Sequence, residues 1–156
     1  MNEIREAIRS YYDVYFGFNA IYEKLAKMHG ITASSLFVLY MIKEYPDQCT
    51  QRLICEKLCF PKQTVNTILD LFEKKGYIFK KVSSQDKRNK NIFFTQAGKN
   101  YSESILSDML YLEESAFSNM PLEESRAMLH GEHIFLEQLT NALNTLGSKI
   151  LSEDGK

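Results

Sequence analysis

Lys62, Gln63, Asn66 and Thr67 follow Pro61 at a spacing that puts them on one side of any helix in which Val65, Ile68, Leu69 and Phe72 turn inward, with Asp70 beside them. Gln and Asn amides can pair bidentately with adenine, and a Thr methyl can pack on the thymine methyl, so such a face suits an A·T-leaning major groove. Thr64 adds a hydroxyl in the same turn. A second set lies downstream: Lys87 and Lys90 suit phosphates, and Arg88 suits a narrow A·T-rich minor groove. Thr50 and Arg52, at the start of a short helix, are placed for further phosphate contacts.

Other chemistry is thin. Cys49, Cys55 and Cys59 are an odd number with no apolar leader before them, which points to reduced thiols in the cytoplasm rather than a secreted disulfide scaffold. Cys55 and Cys59 stand one helical turn apart, a poor geometry for a disulfide that moves anything, and packing is the expected role of all three. His130 and His133 lie three residues apart near Glu132 and Glu137, beside Gly131, and read as surface residues rather than metal ligands. With no paired nucleophile and base, phosphate loop or metal set, neither an enzyme nor a cofactor is expected. The longest apolar run, Leu36 to Ile42, is too short to cross a bilayer.

These residues need a scaffold, and 156 residues supply one compact domain or two small ones. Seven Gly, three Pro and four Val argue for helices over a turn-rich β fold. The net charge of −1 conceals a strong segregation. Residues 61–100 hold nine basic side chains against Asp70, Glu73 and Asp86, a local net of +6, whereas residues 101–156 carry −7. One basic block in a neutral-to-acidic chain is the footprint expected of a nucleic-acid contact.

In the middle of the chain, Thr50 is an N-cap for a short helix with Leu53, Ile54 and Leu58 inward. A second helix opens at Pro61, runs to Lys75 and is closed by Gly76. Strands at Tyr77 to Val82 and Asn91 to Thr95 follow, joined by the eight polar residues Ser83 to Lys90. Helix, turn, helix and basic hairpin describe a winged helix-turn-helix.

Long amphipathic helices flank this module. Ile4, Ile8, Tyr11, Tyr15, Phe18, Tyr22 and Leu25 recur at helical steps, and a further helix runs from about Ala33 to Glu44, between Thr32 and Pro46. Tyr101, Ile105, Met109, Leu112 and Ala116 line one C-terminal helix, and Leu129, Leu136, Leu139, Leu143, Leu146 and Ile150 another, with a break at Asn119 to Pro121. Such faces exceed what one small core needs, so a homodimer is expected, with Ile4, Ile8, Tyr11, Leu136, Leu139, Leu143, Leu146 and Ile150 at its interface.

Three pieces resemble the MarR (multiple antibiotic resistance regulator) family of transcription factors: Leu53 to Leu58, the stretch PKQTVNTILDLFEKKGYI (61–78), and Asp86-Lys-Arg88 followed by IFFTQAGK (92–99). The spacing from Gly76 through Asp86 and Arg88 to Thr95 and Gly98 joins a wing to a helix start, and the likeness covers nearly the whole chain. Cys59 and Phe60 stand where the family commonly has a turn Gly, and Pro61 replaces the usual hydroxyl cap.

The resemblance implies a mainly α fold with a small β wing: a winged domain over 33–95, and a helical dimerisation region over 1–32 and 96–156. It implies that Asp86 orients Arg88 by a charge-assisted hydrogen bond. It also implies a cytoplasmic homodimeric repressor on pseudo-palindromic double-stranded DNA. A small aromatic effector is implied near Tyr12, Tyr15, Phe16, Phe37 and Tyr40, since nine of the 19 aromatics fall in residues 1–45. Redox-sensing members place a reactive Cys in the first helix, and this chain has none there. The alternative reading is a winged-helix protein-interaction module without operator binding.

Overall fold

A computed structural model describes residues 2–82 and 90–153. The chain runs α1 (Asn2–Met28), α2 (Ala33–Glu44), α3 (Gln51–Leu58), α4 (Lys62–Lys74), β1 (Ile78–Val82), β2 (Lys90–Phe94), α5 (Gln96–Ser118) and α6 (Leu122–Glu153). It divides into two compact units, Met1–Leu110 and Tyr111–Lys156.

The first unit is built around α2. Thr32 caps this helix by accepting a hydrogen bond from the Ser35 amide at 3.1 Å, and Leu36, Val38, Leu39, Met41 and Ile42 are buried. Ile54 of α3, Val65, Ile68, Leu69 and Phe72 of α4, Ile78 and Ile92 of the strands, and Ile105, Leu106 and Met109 of α5 close the same core. Only the last turns of α1 join it, through Leu25 and Ala26 with Tyr22 packed against them. The α1 apolar face before that remains exposed.

Strands β1 and β2 pair antiparallel, with Ile78 opposite Phe94 and Val82 opposite Lys90. Observed strand bounds differ from the expected ones by one residue at three ends, and Tyr77 precedes the ladder. No local pattern announces that Thr50 bridges Asn91 while the Ile92 amide donates to the Cys49 carbonyl at 2.8 Å. A single residue cannot announce a strand by period, so this pairing is a tertiary event. It holds the start of α3 against the sheet.

Helix α4 begins one residue later than expected. Pro61 is extended, with φ −56° and ψ 140°, and occupies the cap position without a side-chain hydrogen bond. The expectation that all three cysteines serve packing fails for Cys59. Cys49 is fully buried and Cys55 half-buried, but Cys59 is exposed and takes the left-handed conformation that ends α3, at φ 53°.

In the second unit, α5 ends at Ser118 and α6 begins after Pro121, close to the break expected at Asn119 to Pro121. Leu136, Leu143 and Leu146 on α6 are more than half exposed. Among the described residues, no single helix is long and apolar enough to cross a membrane.

Candidate nucleic-acid interface

The outward face of α4 is polar as the period requires, except for the exposed Leu71. Val65, Ile68, Leu69 and Phe72 are buried, which leaves Lys62, Gln63, Asn66, Thr67 and Asp70 exposed and Thr64 half-buried. The Thr67 hydroxyl donates to the Gln63 carbonyl at 3.0 Å. That bond occupies its proton within the helix and leaves the methyl as the group available for an apolar contact.

Thr50 accepts a hydrogen bond from the Leu53 amide at 3.1 Å and so caps α3. Its β-bridge to Asn91 fixes where that cap stands relative to the wing. Gln51, next to it, donates through Nε2 to the Lys62 carbonyl at 3.3 Å. This contact ties the first turn of α3 to the first turn of α4, which has no side-chain cap of its own. The tether joins the two helix starts but caps none of the first α4 amides, since Gln51 donates to a carbonyl.

A groove of about 640 Å³ opens beside this corner, and four cations line it: Arg52, Lys62, Lys80 and Lys90. Thr50, Gln51, Cys55, Glu56 and Ile92 line it as well. The structure therefore gathers four of the expected contact residues, Thr50, Arg52, Lys62 and Lys90, on one concave surface. Arg52 does not stand free: its Nε lies 2.7 Å from Glu56 Oε1, and this hydrogen bond raises the guanidinium pKa. Both partners are exposed, so the pair leaves the remaining guanidinium donors to solvent. Asp86, Lys87 and Arg88 lie outside the described residues.

Sequence reasoning missed Lys80. Burial acts to lower its pKa, but bonds to Glu73 and Asp70 outweigh it and the net shift is upward. Nothing in a strand pattern marks which lysine meets two carboxylates on a helix. Another cavity, of about 670 Å³, has Phe79, Phe93, Lys43, Lys99 and Glu103 among its lining residues and was likewise not legible in the sequence.

The expected aromatic residues are distributed over two helices. Tyr12, Tyr15 and Phe16 lie exposed on α1, where Tyr12 and Phe16 stack at 5.7 Å. Phe37, on α2, is half-buried and packs on Tyr22 at 5.1 Å, and Tyr40 is exposed. His130 and His133 are exposed on α6, and no metal-binding cluster of His, Cys, Asp or Glu occurs among the described residues.

The wing passes into α5 through Thr95. Its hydroxyl donates to the Gly76 carbonyl at 2.6 Å and accepts from the Gly98 amide at 3.0 Å, so one side chain closes the α4 turn and caps α5. This is the physical content of the Thr-x-x-Gly spacing. A family model described as the MarR family matches residues 29–89, the stretch that contains α2 to β1. A helix-turn-helix transcriptional regulator from Bacillus cereus (strain ATCC 10987 / NRS 248), itself uncharacterised, is 30% identical over 112 residues, covering 72% of this chain and 74% of that protein.

The chain belongs to the MarR family.

Staphylococcus epidermidis SarZ, another helix-turn-helix transcriptional regulator of similar sequence, is 27% identical over 110 residues, or 69% of this chain and 71% of SarZ. Among solved structures, an S. aureus MepR–DNA complex superposes with a TM-score of 0.68 at 26% identity, covering 82% of this chain and 97% of MepR. MepR in its DNA-binding conformation gives 0.72 at 25% identity, with coverage of 85% and 98%. The mainly α architecture with a two-stranded antiparallel wing is that of the MarR fold.

Proposed function

We propose that this MarR-family chain is a cytoplasmic homodimer that binds a pseudo-palindromic duplex and represses transcription, with α4 in the major groove. The observation that carries the reading is the polar outer face of α4 placed beside a groove lined by Arg52, Lys62, Lys80 and Lys90. A base-reading face without adjacent cations would lack affinity, and cations without such a face would lack sequence preference. The likeness to MepR solved on DNA supports the same docking.

In this reading Gln63, Thr64, Asn66 and Thr67 read base edges, while Thr50, Arg52, Lys62, Lys87 and Lys90 meet phosphates. Arg88, oriented by Asp86, enters the minor groove. Residues 33–95 form the winged domain, and 1–32 with 96–156 the dimerisation region. Ile4, Ile8 and Tyr11 of α1 and Leu136, Leu139, Leu143, Leu146 and Ile150 of α6 are all at least 40% exposed in the single chain. Apolar surface that extensive favours a second copy. Three free cysteines fit the reducing cytoplasm. A small aromatic effector lodged at Tyr12, Tyr15, Phe16, Phe37 and Tyr40 would act by preferring one spacing of the two recognition helices.

Selection of bound duplexes from a random pool at two salt concentrations tests this reading. Enriched palindromes with half-sites about one helical turn apart, roughly 34 Å, are expected. Lys62→Ala should weaken binding to every sequence and lower the salt slope by about one. No enrichment at either salt concentration would favour a protein-interaction module.

A further inference from the structure

We propose that Asp70 and Lys80 are positioning residues that fix the Asn66 amide for base reading, which makes this pair a determinant of sequence preference. The inference rests on the reading of α4 as the recognition helix. Asn66 Nδ2 donates to Asp70 Oδ2 at 2.8 Å, and Lys80 Nζ lies 3.3 Å from Oδ1 of the same carboxylate. Lys80 also reaches Glu73 Oε2 at 2.8 Å.

The chemistry of the partners decides which way the amide faces. An ionised carboxylate only accepts hydrogen bonds, so the nitrogen of Asn66, not its oxygen, turns toward Asp70. One N–H is thereby used. The other N–H and the carbonyl oxygen remain, and these are the donor and acceptor that adenine N7 and N6 require. Released from Asp70, the amide could flip and offer its groups in the opposite order.

A contact between exposed residues four apart on a helix is weak by itself. Lys80 supplies the second anchor. Its side chain is only 21% exposed and projects from β1, so the carboxylate is tied to the sheet as well as to its own helix. The link to Glu73, one turn beyond Asp70, keeps the ammonium over α4. Lys80 also offsets a negative charge that would otherwise face phosphates. The contacts thus run from the wing to the base-reading amide as Lys80, Asp70 and Asn66, with Glu73 of α4 holding the Lys80 ammonium.

The test compares full-length wild type, Asn66→Ala, Asp70→Ala and Lys80→Met by selection from a random duplex pool, with binding to one unrelated duplex measured in parallel. Asn66→Ala locates the base pair that Asn66 reads, with a loss of preference there of about tenfold. Asp70→Ala should lose preference at that same base pair by about fivefold, while binding to the unrelated duplex is unchanged or tighter. Lys80→Met should show a smaller loss at the same position. If Asp70→Ala is poorly folded, Asp70→Asn serves instead, since it keeps the volume and one acceptor and should give an intermediate loss.

Wild-type preference retained by the Asp70 variant overturns the inference. So does an equal loss on every sequence, the signature of a structural defect. If the wild type enriches nothing, the DNA-binding reading falls first and this inference with it, an outcome distinct from a wild type that enriches and an Asp70 variant that matches it.

Discussion

Gly98 lies directly against the carbonyl oxygen of Tyr77, so closely that a Cβ at position 98 would overlap it. The close approach exists because the Tyr77 carbonyl also accepts the Thr95 amide at 3.0 Å, which pins the end of the α4 turn to the start of α5. The Tyr77 and Tyr101 rings stack above this junction at 4.0 Å. Backbone, not a flexible side chain, is what the new methyl would meet. Gly98→Ala should therefore destabilise the chain by about 3 kcal/mol. Denaturant unfolding would show a lower midpoint, and an unchanged midpoint would mean that α5 can shift away from Tyr77 at little cost.

Cys59 occupies the left-handed position where the turn of the helix-turn-helix commonly has glycine. A residue with a Cβ is strained there, and the contact of its thiol to the Glu56 carbonyl, at 3.8 Å, is weak. Cys59→Gly trades that strain against a looser unfolded chain. A net stabilisation of roughly 0.5–1 kcal/mol is expected from these opposing effects. Thermal melting at one protein concentration would measure it.

The buried Cys49 thiol gives a pH dependence of definite sign. Burial raises its pKa from 9.0 to about 12. The unfolded chain releases this proton first, so the stabilisation is fully present below pH 9 and is lost as pH rises toward 12. Across that window the loss has an upper slope of roughly 1.4 kcal/mol per pH unit. Tyr and Lys residues titrate there too, so the useful quantity is the difference between wild type and Cys49→Ala. Stability curves that stay parallel from pH 9 to 11 would show that the thiol ionises equally well in both states.

Leu143 is 68% exposed on α6. If the apolar face of α6 meets a second copy, Leu143→Glu should convert the dimer to monomer at micromolar concentration in sedimentation. The buried core residues of the first unit do not include it, so the winged module should stay folded, with helicity near wild type. A dimer of unchanged affinity would remove Leu143 from the interface.

Much of this was legible along the chain. Thr32 and Pro46 bracket α2, and the steps Val65, Ile68, Leu69 and Phe72 set which side of α4 is buried. These follow from local rules: a hydroxyl satisfies free helix amides, proline cannot continue a helix, and a 3.6-residue period assigns inside and outside. The exposed face of α4 was legible to the same extent, because outward residues are known once inward ones are, whereas Asp86, Lys87 and Arg88 lie outside the described residues.

What only the tertiary structure decided concerns residues far apart in sequence whose distances no local rule fixes. Thr50 meets Asn91, Gln51 reaches the Lys62 carbonyl, and Lys80 meets Asp70 and Glu73. Composition marked Lys80 as one more charge in a basic block, whereas packing made it the partner of two carboxylates. Sequence periodicity determined which α4 face is buried and which is left to solvent. The positions of α3, the wing and the charges around that face depend on how the core closes, because only packing brings separate elements within hydrogen-bonding range.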